Sequence, residues 1–448
     1  MRIVVADVET AVQFLDKGKI DGSPYNPKNQ LVSVGCVPIV DGVIQDPVYE
    51  FMYHKGRPCD PARARRLIQS ELDAADLFVA HNAKFDIQWL LESGFTLPEK
   101  VYCTQVGEYI FARGRKDLGL SLEESCIRNK LPQKKSDLVA EYWRDKVGFE
   151  SMPWEIVQEY GIADILSAAH LYLSQQTRLL EPENESLKAT FDMSMEFMYE
   201  LALTERNGIA IDISALDEVE SAYRKEQETL HTRLSEICRE VMGDTPTQLS
   251  SPEQLSTLIY SRTVRDKKVW AKTFNLGKND RGKDLPRPKM SSSQFTTAVR
   301  QHTDIVRRTI ATHCDKCHGK GYVHKVKKDG SLFARPNTCG DCNGSGYAYK
   351  STTKVAGLKL LPTGVDDVRV AGFATDADSL ELLVHQAKTN NNELAVEFLQ
   401  GMMRLNALET YINNFCMGIR GAIREDGVLH PNFNQTVTST GRLSSSQP

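Results

Sequence analysis

The chain has 448 residues, of which 41% are hydrophobic and 25% charged, and its formal net charge is −4. That length and balance exclude a small disulfide-held domain and a disordered polar chain, and they predict a protein with two or three hydrophobic cores. No run of 18 apolar residues occurs, so no membrane-spanning helix is expected.

The first segment, "MRIVVADVET", is an apolar strand pattern without the basic start and long apolar stretch of a secretory leader, and a cytoplasmic protein is expected. Six of the ten cysteines are scattered (Cys36, Cys59, Cys103, Cys126, Cys238 and Cys416) and four form two tight pairs, which suits a reducing compartment with one metal site. Over about the first 180 residues, short apolar strands ("IVVAD", "LVSVGCV", "LFVAH") alternate with helical patterns ("FDIQWLLESG", "SLEESCIRNKL"), an α/β signature.

Within that region, "VVADVET" puts Asp7 and Glu9 two residues apart at the expected end of a strand, so both side chains leave the same face. "FVAHNAKFDIQWL" has Asp86 one turn into a helix, with Asn82 as its expected N-cap. In "WEIVQEYGIADILSAAHLYL", Tyr160 and Asp164 are four apart and share one helical face. Four acids from three segments repel one another unless cations lie between them, and all-oxygen ligands suit two Mg²⁺ or Mn²⁺ ions better than Zn²⁺.

From about Leu187 to Met242 the pattern becomes helical. "SMEFMYELALTERNG" stops on a Gly, and "DISALDEVESAYRKEQETLHTRLSEICREVMG" starts on an Asp cap and also stops on a Gly. Regularity is expected to fail between about Ser261 and Lys354. There, Arg262 to Lys289 holds ten Lys/Arg against three Asp/Glu, so this stretch carries +7 while the rest of the chain carries −11. Such concentration favours an anionic partner, although a solvated loop has the same composition. Helical patterning resumes at "DADSLELLVHQAKT" and "NNELAVEFLQGMMRLNALETYINNF".

Inside the irregular block, "CDKCHGKG" and "CGDCNGSG" both read C-x-x-C-x-G-x-G. Each loop supplies two thiolates at the spacing of a tetrahedral corner pair, so Cys314, Cys317, Cys339 and Cys342 predict one structural Zn²⁺. His313, His318 and His324 lie nearby and are read as non-ligands, since four cysteines already close the site. The knuckles look like those of DnaJ-type chaperones, but those carry four such repeats and a His-Pro-Asp domain. Here there are two repeats and no such domain, which points to a module stiffening an insertion. Gripping duplex DNA and docking a protein, such as a processivity factor, both remain open for it.

Taken together and in this order, Asp7, Glu9, Asp86, Tyr160 and Asp164 resemble the three motifs of the DEDD exonucleases in their Tyr-containing branch. The resemblance implies a ribonuclease H-like mixed sheet with helices and a 3′→5′ exonuclease releasing 5′-mononucleotides. In it Asp7, Glu9 and Asp164 hold one metal, and Asp7 bridges to a second that Asp86 supports through water. Tyr160 orients the attacking water, and Asn82 and Phe85 contact the substrate. Further on, "LALTERNGIAID", "QLSSPEQL", "LNALETYINNF" and "DGVLHPNFNQTVTSTGRLSS" resemble the thumb and first palm segment of family A DNA polymerases, the bacterial polymerase I and bacteriophage class.

The resulting expectation is an exonuclease domain over 1–183, a helical thumb over 184–260 and 355–425 interrupted by a basic zinc insertion over 261–354, and the start of a palm over 426–448. Asn434, Gln435 and Arg442 match positions that face a primer–template duplex in that family. The family's nucleotidyl-transfer acids do not follow Thr440-Gly441-Arg442 in this sequence, so polymerisation is expected to need a separate palm and fingers polypeptide. The closing segment is expected to be poorly ordered for want of partner strands. Two other readings are a stand-alone exonuclease of repair or RNA processing and a catalytically inert DNA-clamping subunit. The complete acid set argues against the second of these.

Overall fold

A computed structural model describes residues 1–14, 20–115, 117–280, 282–327, 331, 334–425 and 427–446. The chain forms two compact units, one from Met1–Ile213 with Gly418–Pro448, the other from Ser214–Met417. Among the described residues no helix is long and apolar enough to cross a membrane.

The first unit is built on a mixed sheet. Strand β1 (Arg2–Ala11) pairs antiparallel with β2 (Gln30–Val40), which also pairs with β3 (Val43–Ile44) and β4 (Val48–Phe51). On its other side β1 pairs parallel with β5 (Leu77–Ala80), and β5 pairs parallel with β6 (Val101–Cys103). Ile3, Val4, Val5 and Ala6 are buried in succession, which is how a central strand covered on both faces reads. The strand pairs with β2 as far as Ala11, with a register shift after Glu9, so Asp7 and Glu9 lie within the strand and not at its end as expected from sequence.

Helices cover the sheet: α1 (Pro61–Asp73), α2 (Ala83–Glu92), α3 (Thr104–Phe111), α4 (Leu122–Asn129), α5 (Asp137–Arg144), α6 (Trp154–Leu179) and α7 (Lys188–Asn207). Two starts follow local chemistry. Asp60 accepts from the Arg63 amide ahead of Pro61 at the first turn of α1, and Ser121 with Glu124 forms a reciprocal capping box on α4. Helix α6 approaches the sheet closely because two glycines border Tyr49. A Cβ on Gly35 would lie 2.8 Å from the Tyr49 ring, and one on Gly161 would lie 2.3 Å from its hydroxyl. The ring fills that slot, and its hydroxyl bonds Ser33 Oγ at 2.8 Å.

Gly208 ends α7 as the sequence suggested, at φ +63°, a backbone region that favours glycine. Ile209–Ala210 then pair antiparallel with Val428–Leu429, which joins the closing segment to this unit. That segment is not left without partners. Strand β7 (Phe433–Asn434) pairs with β8 (Ser444–Ser445), Tyr109 donates to the Thr438 carbonyl at 2.6 Å, and Arg424 ion-pairs Asp21 at 3.0 Å. The expected want of partners is corrected by these bonds, which come from the Ile209–Ala210 strand, from α3 and from Asp21 near the N-terminus. Asp426, Gln447 and Pro448, at the ends of the expected palm segment, lie outside the described residues.

The second unit packs α8 (Ile213–Met242), α9 (Pro252–Tyr260), α10 (Lys267–Thr273), α11 (Ser292–His302), α12 (Ala377–Thr389) and α13 (Glu393–Thr410) around Leu258, Trp270, Phe274, Phe398 and Leu399. Helices α10 and α11 fall in the block expected to be irregular. They form because Trp270, Phe274, Phe295 and Val299 are buried in the same core as α12 and α13, an anchorage hidden by the surrounding lysines. Beyond α11 a two-stranded ribbon, Arg307–His313 paired antiparallel with Tyr347–Val355, leads into and out of the cysteine loops.

Candidate metal-binding active site

Four acids converge in the first unit. One carboxylate oxygen each of Asp7, Glu9 and Asp164 lies within 4.8 Å of the others. Strand periodicity gives Asp7 and Glu9 one face, and the Tyr49 slot lets α6 bring Asp164 to that face. Asp86 stands outside the triad's radius but joins it through the backbone, its Oδ1 accepting from the Val8 amide at 3.2 Å between the two strand acids. Tyr160, one turn before Asp164, is buried beside them.

The electrostatics are those of several buried carboxyls with Lys134 as their nearby cation. Burial, then Asp164, push Asp7 up to about 8. Burial and the Asp7 charge hold Glu9 and Asp86 well above the usual carboxylate range. Asp164 is also raised by burial, though Lys134 offsets part of it. The Tyr160 hydroxyl is pushed far above its ordinary value by burial and by Glu9, so it is a protonated donor at neutral pH. Asp164 Oδ1 is buried without a hydrogen-bond partner among the described residues. A carboxylate with an orphaned oxygen, close to two more acids, fits a divalent cation, whose charge would oppose the upward shifts of the acids.

Lys134, in the loop after α4, escaped sequence reasoning. Its ammonium donates to Tyr160 Oη at 3.0 Å and Asp164 Oδ2 at 3.4 Å. It lies in "LPQKKSD", where nothing in spacing separates it from Lys135, which instead pairs the exposed Glu159.

The other expected contacts divide. Asn82 stands at the N-cap position of α2 as expected, but in a left-handed conformation, φ +61°, and without a side-chain capping bond, so it makes a sharp turn from strand to helix. Phe85 is partly buried against Trp89. Asn434 bonds Ser446 Oγ at 2.8 Å, Gln435 donates to the Ser194 carbonyl at 3.2 Å, and Arg442 is exposed. A buried ionic cluster joins α2, α7 and the closing segment: Glu205 accepts from Lys84 Nζ at 2.5 Å, Gln88 Nε2 at 2.6 Å and the Phe433 amide, and Lys84 also reaches Asn432 Oδ1 at 2.8 Å.

In the second unit the Sγ atoms of Cys314, Cys317, Cys339 and Cys342 all lie within 4.8 Å of one another. Cys314 to Cys339 is 3.9 Å and Cys317 to Cys342 is 3.6 Å. A Zn–S bond of about 2.3 Å sets a tetrahedral edge of about 3.8 Å, so these separations suit four thiolates on one ion and are too long for disulfides. The Gly321 and Gly346 amides each donate to a cysteine sulfur at 3.3 Å, Cys317 and Cys342 respectively. Gly321 and Gly346 take positive φ, where an added Cβ would meet the opposite loop's backbone at 2.4 Å.

No protein-family model matches the chain. It is 24% identical over 391 residues to a DNA polymerase of Bacillus phage SP01, covering 86% of this chain and 35% of that protein. It is 38% identical over 77 residues to DNA polymerase I of Mycobacterium leprae (strain TN), 17% of this chain and 8% of the relative. Among solved structures it resembles the POL domain of Pol1 from M. smegmatis in complex with DNA primer-template and dNTP, with a TM-score of 0.49, 18% identity, and coverage of all of this chain and 51% of that one. The chain thus spans about a third of the phage relative's length and under a tenth of the mycobacterial one's.

Proposed function

From a chain related to the family A DNA polymerases, we propose a 3′→5′ exonuclease in its first unit, which removes nucleotides from the 3′ end of DNA as the proofreading part of a replicative polymerase. The observation that carries the reading is the triad of Asp7, Glu9 and Asp164, with its orphaned Asp164 Oδ1 and raised carboxyls. Asp7, Glu9 and Asp164 would hold one Mg²⁺ or Mn²⁺, with Asp7 shared and Asp86 supporting a second. Such ions supply the charge that activates water and steadies the leaving 3′ oxygen.

The chain's own groups do the rest. Tyr160, held protonated, donates a hydrogen bond that orients the attacking water and does not serve as its base. Lys134 steadies Tyr160 and Asp164 together. The strained Asn82 turn and Phe85 present α2 to the 3′-terminal nucleotide, with Phe85 offering its ring to the base.

In the second unit the four cysteines would bind one structural Zn²⁺, and the helices would form the thumb along primer-template, with Asn434, Gln435 and Arg442 of the first unit contributing palm contacts. The test is a 5′-labelled single-stranded oligonucleotide incubated with Mg²⁺. The expected result is a ladder shortening from the 3′ end with release of 5′-mononucleotides, abolished by Asp7→Ala. Equal inactivity of wild type and variant over several DNA lengths would overturn it.

A further inference from the structure

The charge imbalance of the sequence extends beyond its most basic stretch. Between Arg262 and Val355 there are 21 Lys/Arg against 7 Asp/Glu, a surplus of 14 positive charges, which leaves −18 on the remainder of the chain. Part of that surplus is neutralised locally, since Arg265 pairs Asp304, Lys267 pairs Glu253 and Lys316 pairs Asp341. The ribbon before the cysteine loops differs. Among the described residues Arg308, Lys350 and Lys354 have no carboxylate within ion-pairing distance, and both lysines are exposed.

The ribbon's two edges are unlike. The Arg307–His313 strand lies against the end of α8, where Gly243 bridges Thr309 and Asp244 accepts from the Ala311 amide at 2.8 Å. The Tyr347–Val355 strand has no second neighbour among the described strands and is an open edge. Lys350, opposite Ile310, takes the alternate position from Tyr347 and Tyr349, and Lys354 lies further along the strand where the register shifts. The cation-bearing positions therefore carry no aromatic ring, so they are suited to phosphates and not to stacked bases.

We propose that this ribbon is a sequence-independent binding surface for the phosphate backbone of double-stranded DNA, with half-buried Arg308 on one strand and Lys350 and Lys354 on the other as its contacts and the cysteine loops as its rigid base. It rests on the reading that the chain works on DNA, but not on the exonuclease chemistry. Exposed lysines on an open edge also discourage strand-to-strand aggregation. That role asks only for a few charges, whereas a surplus of 14 confined to one fifth of the chain makes a field that draws a polyanion.

The experiment titrates zinc-replete full-length chain against a fluorescent duplex of about 30 bp across a range of KCl concentrations, comparing wild type with the Arg308→Gln/Lys350→Gln/Lys354→Gln variant. Loss of three phosphate contacts at about 0.9 each lowers the slope of log affinity against log salt by about 2.7, and weakens binding roughly tenfold or more near 100 mM salt. Lys350→Arg/Lys354→Arg keeps both slope and affinity. Degradation of a short single-stranded oligonucleotide and zinc content stay at wild-type levels in every variant. An unchanged slope in the triple Gln variant overturns the proposal, as does a variant that self-associates while binding duplex as wild type does. If the salt slope falls as expected in a chain that proves inactive as a nuclease, the ribbon surface stands and the exonuclease reading alone fails.

Discussion

Glu205→Gln is expected to destabilise the first unit through the most deeply buried ion pair among its described residues. Glu205 is 2% exposed and accepts from Lys84, Gln88 and the Phe433 amide, while the Lys84 side chain is 14% exposed and has its basicity lowered by burial. Glutamine keeps the shape but removes the charge that compensates the ammonium. Breaking a buried pair on one side costs about 3–5 kcal/mol, and the remaining exposure of Lys84 argues for the lower end. At roughly 2–4 °C per kcal/mol for a unit of this size, about 3 kcal/mol lowers the unfolding midpoint by roughly 6–12 °C. The assay is thermal unfolding followed by calorimetry, run as a cycle of Lys84→Met, Glu205→Gln and the double variant. A coupling energy of about 1.5 kcal/mol or more is expected. Coupling below about 0.5 kcal/mol would refute the view that this pair, and with it the docking of Asn432–Phe433, holds the closing segment onto α2 and α7.

Three further outcomes follow from the sites. Lys134→Met removes charge-assisted bonds to Tyr160 and Asp164, each of a kind worth about 1.5–3 kcal/mol, so the turnover rate of the nuclease reaction should fall roughly 10- to 100-fold, with Lys134→Arg recovering part of it. Rates within about twofold of wild type would remove Lys134 from the site. Metal analysis should find about one zinc per chain and almost none in Cys314→Ser, with hydrolysis of short single strands unaffected; unchanged zinc would overturn the four-cysteine assignment. Gly161→Ala pushes a methyl into Tyr49 and should both destabilise the first unit by about 1–3 kcal/mol and slow hydrolysis by displacing Asp164, as read by thermal unfolding and the same nuclease assay. A variant as stable and active as wild type would show that the close approach of α6 is not what positions that acid.

Much of the site was legible because its spacings are local. Two acids two apart on a strand, a Tyr and an Asp four apart on a helix, and paired C-x-x-C loops are each fixed by one element's period or one loop's reach. The stop glycines at 208 and 243 were legible for the same reason, each ending a helix at positive φ. What the sequence concealed depends on contacts between distant segments. Tyr49 is unremarkable until Gly35 and Gly161 are seen to border it, and Lys134 is a loop lysine until the chain fold carries it to Tyr160. Trp270 and Phe274 sit among lysines, so their burial overrode a composition that read as irregular. Asn82 has an N-cap's identity and position, yet its backbone is left-handed, a choice made by the turn between β5 and α2 and not by its side chain. The closing segment found partners in α3 and α7, which no strand pattern of its own could announce.

Whether Asp7, Glu9, Asp86 and Asp164 hold two cations together is read by electron paramagnetic resonance of the zinc-loaded chain titrated with Mn²⁺. An exchange-coupled spectrum from two ions bound together is expected, lost in Asp7→Ala because that carboxylate would be shared between them. A spectrum of isolated Mn²⁺ in the wild type, or a coupled one that persists in Asp7→Ala, would contradict it.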